Sequence, residues 1–523
     1  MNSQSPDPQD AVLAFLADPA THGPGVTAVE RVDTHISAVF LPEGSDRVIK
    51  VKKAVTLPFL DFAPLEARRL ACEREAAINR RTAPDLYLGC APVVRRDGAL
   101  AIGDAGAAEG EVVDWVVLMR RFDRATQFDR LAAAGKLDRN TLLDLAEAVA
   151  QFHEAAESVP DPRFGGAAAM AATVEGNAAA FAAFRGTVFD AAAVDAVLDR
   201  SREACRRHAA LLDARRVAGL VKRCHGDLHL RNICQMGGRT VLFDAIEFND
   251  DFAVIDVLYD LAFLLMDLRH AGLARAASLV FNHYMDLRDD LGGLPLLPLM
   301  LSLRAQIRAH VTAAIAGHAA NPEAPYAEAR RYLVEAADYL TPPRPRLIAV
   351  GGLSGSGKSR AARELAPYLG APGALVLRSD VIRKRLAGRK PWDRLESEDY
   401  SAGSSDRTYA LLTAQAAEVL AAGHPVIADA VFSKPAERAA IEAAARQAGA
   451  PFAGLWLEAE PAIAEQRILM RRRNASDATP EVLKAQLSYD TGPIAWTRVD
   501  SSFAKDRTDR ACRKAVLHQE EET

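Results

Sequence analysis

Cysteine is scarce and scattered in this chain. The six cysteines, Cys72, Cys90, Cys205, Cys224, Cys234 and Cys512, form no C-x-x-C pair and show no metal-ligand spacing. That excludes a disulfide framework and a cysteine zinc site, and fits small buried side chains in a reducing compartment. An uninterrupted apolar run is lacking too. The nearest approach, FAVIDVLYDLAFLLMDL at 252–268, carries Asp256, Asp260 and Asp267. Three acids are costly in lipid, so a buried helix is expected there and a membrane span is not. The opening residues, MNSQSPDPQDAVLAFLADPA, lack a basic segment followed by an apolar one, so no secretion signal is read and a cytoplasmic location is expected. Positive charge is not in excess either. A net charge of −5 argues against a chain built mainly to coat nucleic acid.

What is present is ample material for packed cores: 523 residues, 49% apolar and 25% charged, enough for roughly two to four domains. ISAVFLPEGSDRVIKVKKAV reads as two strands around the turn PEGSD. PLEARRLACEREAAINRRTAP has helical spacing and is expected to end at Pro84, and DWVVLMRRF reads as a further strand. From about 138 to 340 the text is mostly helical, interrupted by the strand–turn–strand CHGDLHLRNICQMGGRTVLFDAIEF. TPPRPR at 341–346 cannot continue a helix and reads as a linker. Beyond it, LIAVGG, ALVLRSD, PVIADAVF and FAGLWLEA alternate with alanine-rich helical text, the pattern of a parallel sheet with crossover helices. The expected organisation is an α+β two-lobed domain at 1–340 (small lobe about 1–122, helical lobe about 123–340), the linker, and an α/β domain at 347–515.

HGDLHLRN at 225–232 has the spacing H-x-D-L-x-x-x-N. A carboxylate that accepts or orients the proton of an attacking hydroxyl fits Asp227, and an amide oxygen that holds a metal ion fits Asn232. A second metal-holding acid is expected after a short hairpin, and the strand TVLFD ends in Asp244. VIKVKK supplies a lysine for phosphate charge, Lys50 or, on the same strand face, Lys52. Its partner on the next helix is Glu75, with Glu66 and Glu73 as competitors. His225 is expected to bond the loop backbone.

The loop HGDLHLRNI resembles the aminoglycoside phosphotransferase group of small-molecule kinases, and the run from His225 to Leu268 resembles the branch in which such a domain is fused to a P-loop kinase. THIS (34–37), INRR (78–81), PDLYLG (84–89) and MRRF (119–122) are similar to that branch as well. The resemblance implies a two-lobed protein-kinase-like fold. The chain departs from protein kinases in three places. Gly226 stands where they usually have Arg, no Gly-x-Gly-x-x-Gly loop is present, and Ala-Ile follows Asp244. THIS is then the segment left to cover a nucleotide. Nothing marks antibiotic recognition.

GLSGSGKS at 352–359 satisfies G-x4-G-K-S/T and lies between a strand and a helix, the context of a P-loop. Gly352, Ser354, Gly355, Ser356 and Gly357 form the phosphate cradle. Lys358 is expected to reach the outer phosphates, and Ser359 to ligate Mg2+. Downstream, Ser-Asp-x-x-Arg places Asp380 and Arg383 after the second strand. That pattern resembles small P-loop kinases such as gluconate kinase, chloramphenicol phosphotransferase, zeta toxins and polynucleotide 5′-kinase, in which the Asp binds and deprotonates the acceptor hydroxyl. Asp429 ends a third strand and is a candidate for magnesium binding or acceptor positioning. Arg467 and Arg471, with Arg472 and Arg473, suggest an arginine-bearing lid over the transferring phosphate. No N-K-x-D motif for guanine is present.

The sequence therefore points to an ATP- and Mg2+-dependent kinase with two sites, each phosphorylating a hydroxyl-bearing small molecule. The alternative is one active half regulated by a nucleotide-binding partner half. Basic segments at 378–394 and 467–473 leave nucleic acid open as an acceptor for the C-terminal half, although the interleaved aromatics that favour strand binding are lacking.

Overall fold

The computed structural model describes residues 8–57, 60–104, 110–317, 321–470 and 475–517. The chain forms two compact units. One comprises Met1–Asp144, Gln151–Ala169 and Asp213–Leu261; the other comprises Leu145–Ala150, Met170–Leu212 and Ala262–Thr523.

The first unit is built on a six-stranded antiparallel sheet. In spatial order its strands are Val29–Asp33, Ser37–Pro42, Arg47–Lys52, Glu111–Arg120, Tyr87–Arg96 and Ala99–Ile102. The turn PEGSD joins the second strand to the lysine strand, with Val39 opposite Lys50 and Ser37 opposite Lys52. The helix Leu65–Asn79 packs on one face through Cys72, which shares a core with Leu86, Tyr87 and Val117. It ends at Asn79, short of Pro84, and the Asn79 Oδ1 accepts the Ala245 amide at 2.8 Å. The hairpin Ile233–Met236/Arg239–Leu242 turns at Gly237 and Gly238, as MGG implies.

The second unit holds a five-stranded, wholly parallel sheet. Its spatial order is Leu375–Arg378, Val426–Asp429, Leu347–Gly351, Phe452–Glu458 and Thr497–Asp500. The central strand Leu347–Gly351 is buried throughout, as its unbroken apolar text requires. Strand order reverses about it, so the loop at its carboxyl end opens at the switch point where ligands of such sheets bind. The fifth strand, Thr497–Asp500, is short and polar and gave no apolar signal in the sequence.

The unit boundary does not fall at TPPRPR. That segment is irregular, and it is bonded to the unit it enters: Arg344 donates to the Gly449 carbonyl at 2.7 Å and Arg346 to that of Val516 at 3.1 Å. The helix Ala274–Arg288 packs with the parallel sheet as well. Asn282 Oδ1 accepts the Val376 amide at 2.7 Å and Asn282 Nδ2 donates to the Ala374 carbonyl at 3.1 Å. One side chain thus satisfies the open edge of the outermost strand, where unpaired backbone groups would otherwise recruit another strand. No helix among the described residues is long and apolar enough to cross a membrane.

Candidate active sites

The HGD loop is shaped from behind by an acid. Asp260, fully buried in the helix Val257–His270, accepts the His225 amide at 3.1 Å on one oxygen and the Gly226 amide at 2.9 Å on the other. His153 Nε2 lies 3.1 Å from the same carboxylate. Gly226 adopts φ +82°, and a Cβ there would sit 2.7 Å from the Phe252 carbonyl oxygen. An arginine does not fit this turn, which accounts for the departure from the kinase pattern. Burial pushes the His225 imidazole below its ordinary value, and its Nε2 lies 2.9 Å from the Phe243 carbonyl. The neutral ring donates there and ties the loop to the hairpin.

This scaffold presents Asp227 with its side chain 38% exposed. Asn232 Nδ2 donates to the Asp227 carbonyl and to its carboxylate, both at 3.0 Å, and His229 Nε2 lies 3.3 Å from that carboxylate. With its nitrogen spent on Asp227, Asn232 offers a cation its carbonyl oxygen. The hairpin carries Asn232 and Asp244 to one end, since Ile233 pairs with Leu242 and Phe243 N donates to Asn232 O at 2.9 Å. Asp244 is held at φ +62°, uncommon for a residue with a side chain. Tyr87 Oη accepts its amide at 3.1 Å. Carbonyl and carboxylate oxygens at one end form a hard donor set suited to Mg2+.

Both lysines of the strand face take part. Lys50 Nζ lies 2.8 Å from Glu75 Oε1 and 2.5 Å from Asp244 Oδ1. Lys52 Nζ lies 2.5 Å from Glu75 Oε2 and is also paired with Glu247. Burial alone would favour neutral groups, but the opposite charges outweigh it. Glu75 is held below the usual carboxylate range and Lys50 well above the usual ammonium value. Burial does push Glu247 up, despite Lys52. Glu66 and Glu73 are instead paired with Arg69 on the outer face of the helix. THIS forms the turn between the first two strands, closed by Ser37 N donating to Thr34 Oγ1 at 3.0 Å.

In the second unit, the P-loop leaves the central strand and enters the helix Lys358–Leu365. Gly352 and Gly355 are sterically required, and Gly357 adopts φ +91°. A Cβ on Gly355, at φ +80°, would lie 2.4 Å from the Ala464 carbonyl oxygen. Ser354 N donates to Gln486 Oε1 at 2.7 Å, and Lys358 Nζ donates to the Leu353 carbonyl at 2.9 Å. The Ser356 hydroxyl is buried without a hydrogen-bond partner among the described residues. A buried hydroxyl beside curled backbone N–H groups is suited to an anion.

A cleft of about 990 Å³ runs from this loop, with Lys358, Ser359, Asp380, Arg383, Asp429 and Arg467 in its walls. Asp380 stands in the first turn of the helix Ser379–Leu386. Arg383 is buried, donates to the Asp399 carbonyl at 3.1 Å and to Ser405 Oγ at 3.3 Å, and lies 5.0 Å over the Tyr400 ring. Tyr400 Oη in turn donates to Asp477 at 3.0 Å. Asp429 is buried, with Arg378 at 3.9 Å. Arg467 belongs to the helix Pro461–Leu469 and is anchored, donating to the Ser501 carbonyl at 2.7 Å. Ser501 Oγ donates to the Ser356 carbonyl at 2.7 Å. Arg467 is therefore fixed beside the P-loop. The other three arginines of the expected lid, Arg471, Arg472 and Arg473, lie outside the described residues.

Several site residues escaped the sequence reading: Asp260, Glu247, Asn79, Tyr87 and Ser501. Asp260 carried a signal, an acid inside an apolar helix, which demands a buried partner.

Residues 44–294 match the model of the Phosphotransferase enzyme family, and residues 347–493 match that of an AAA domain. Two curated relatives are 30% identical over 503 residues, covering 94% of this chain and 95% of theirs: uncharacterized protein Rv2004c of Mycobacterium tuberculosis and uncharacterized protein Mb2027c of Mycobacterium bovis. Among solved structures, a choline/ethanolamine kinase family protein from Mesorhizobium loti is 16% identical, with 64% of this chain and 98% of that chain covered and a TM-score of 0.35. A gluconokinase from Sinorhizobium meliloti is 22% identical, with 34% and 95% covered and a TM-score of 0.25. The chain belongs to the family of Rv2004c, in which it joins an aminoglycoside phosphotransferase-type, protein-kinase-like domain to a P-loop kinase domain.

Proposed function

We propose that the protein is a two-site kinase, each half moving the γ-phosphate of ATP to a hydroxyl of a small molecule in the cytoplasm. The observation that carries this reading is that each half pairs phosphate-binding groups with an acid able to receive a hydroxyl proton. Lys358 and Ser359 share one cleft with Asp380 and Arg383. In the first unit, Asp227 and Asn232 are hydrogen-bonded to each other on the loop that abuts Asp244 and its ion pair with Lys50. A nucleotide-binding regulator has no need of either acid.

In this reading the acceptor oxygen attacks the γ-phosphorus as its proton passes to Asp227 or Asp380, and the bond to ADP breaks. Lys50 and Lys358 neutralise phosphate charge, and Arg383 and Arg467 stand by the transferring group. Mg2+, where bound, supplies charge neutralisation. Asn232 with Asp244, and Ser359 with Asp429, are the oxygen donors that would hold it.

The test is transfer of labelled γ-phosphate from ATP into a fractionated metabolite extract. Wild type is run beside Asp227→Asn, Asp380→Asn and Lys358→Ala, each checked for folding. Two products are expected, one lost with Asp227→Asn and the other with Asp380→Asn and Lys358→Ala. If ATP binds and no product forms, the two-kinase reading fails. A product from one half alone would favour the regulated-half alternative.

A further inference from the structure

The Lys50–Glu75 pair of the first unit does not stand alone. Five charges alternate in a chain, Asp244–Lys50–Glu75–Lys52–Glu247, each touching the next. Its two halves differ in access to solvent. At the outer end the side chains of Asp244 and Lys50 are 43% and 11% exposed. At the inner end Lys52 and Glu247 are 1% and 4% exposed, and Glu75, between the two lysines, is fully buried. A ligand can reach the outer pair. It cannot reach the inner one.

The consequence follows from charge. A nucleotide in this site draws Lys50 toward phosphate and Asp244 toward a cation, so both leave part of their present pairing. Were Lys50 the sole counter-ion of Glu75, a buried carboxylate would be left uncompensated, a strongly unfavourable state that proteins relieve by protonation or movement. Lys52 prevents this. It is ion-paired with the second oxygen of Glu75 and donates a hydrogen bond to Glu247, three residues beyond Asp244 on the same post-hairpin segment.

We propose that Lys52 and Glu247 form a permanent bracket that keeps Glu75 in place, so that Lys50 and Asp244 can exchange each other for nucleotide and cation without disturbing the helix Leu65–Asn79. They are positioning residues; neither touches the ligand. The inference rests on the reading of this site as a nucleotide site and adds the part that lets it switch partners.

The test measures binding of a fluorescent ATP analogue with Mg2+ to the full chain carrying Lys358→Ala, which disables the second site. Removing one member of a buried pair destabilises strongly, whereas replacing both by apolar residues of similar volume is often neutral. The informative variant is therefore the double change Lys52→Met with Glu247→Leu, with its melting temperature recorded. Groups that orient the direct ligands of a metal typically account for 10–100-fold in its affinity; by analogy a loss of about tenfold or more is expected here, with melting little changed. Should the double variant not fold, Glu247→Gln takes its place, with a several-fold loss expected. A folded variant that binds as tightly as the parent overturns the bracket. A parent that binds no nucleotide overturns the reading of the site itself, a distinct result.

Discussion

The carboxylate of Asp260 accepts the backbone amide of Gly226 at 2.9 Å, and its other oxygen accepts that of His225 at 3.1 Å. A helix in an apolar environment thus dictates the conformation of the loop that presents Asp227. Changing Asp260 to alanine leaves two buried amides without an acceptor, each worth about 1–3 kcal/mol. We expect a lower melting temperature and loss of the product assigned to the first half, with the product of the second half retained. A variant that melts lower yet forms the first product at the wild-type rate would separate loop shape from catalysis and contradict this assignment.

Gly355→Ala should act on the second half alone. The added methyl meets the Ala464 carbonyl at 2.4 Å, and the backbone is in a region that side chains disfavour. Calorimetric titration with ATP and Mg2+ should show binding lost at the P-loop site and preserved at the other. Retention of both binding events would mean that the loop relaxes at little cost.

Asn282 closes the edge of the parallel sheet through both ends of its carboxamide. Asn282→Leu is close in volume and leaves Val376 N and Ala374 O buried and unpaired. A loss of about 2–4 kcal/mol is expected from the unpaired groups. Chemical denaturation monitored by tryptophan fluorescence would measure it. A loss below about 1 kcal/mol would show that water replaces the side chain.

Burial holds His424 and His310 down at about 4. In the unfolded chain each titrates near 6.5, so between pH 6.5 and 4 the unfolded state binds more protons. Stability therefore rises with pH through that window and is independent of these groups above it, each amounting to roughly 3 kcal/mol across the window. Melting temperature should fall as pH is lowered from 7 to 5, and less steeply in His424→Gln. Equal slopes for the two proteins would remove His424 from the account.

The elements of the site were unequally legible. Residues whose role depends on neighbours in sequence could be read directly. The P-loop is one contiguous turn, and the alternation that puts Lys50 and Lys52 on one face is a property of any strand. The choice among Glu66, Glu73 and Glu75 was legible in principle. Glu75 is in phase with Arg68, Ala71, Cys72 and Asn79 on the buried helix face, while Glu66 and Glu73 stand three and four residues from Arg69.

By itself, then, the sequence determined the two loops proposed to handle phosphate, the strand–helix alternation around the second, and the candidate site residues of the first. Each follows from local geometry that a few consecutive residues impose. Tertiary structure alone decided that Lys52 is paired as fully as Lys50, that Glu247 and Asp260 belong to the site, that Arg467 is anchored to Ser501, and that Ala274–Arg288 packs with the parallel sheet. Those facts depend on contacts between residues far apart in the chain, 194 positions for Lys50 with Asp244 and 195 for Lys52 with Glu247. A buried charge must find an opposite charge, but nothing in its own stretch of sequence says which of many distant candidates folding will bring to it.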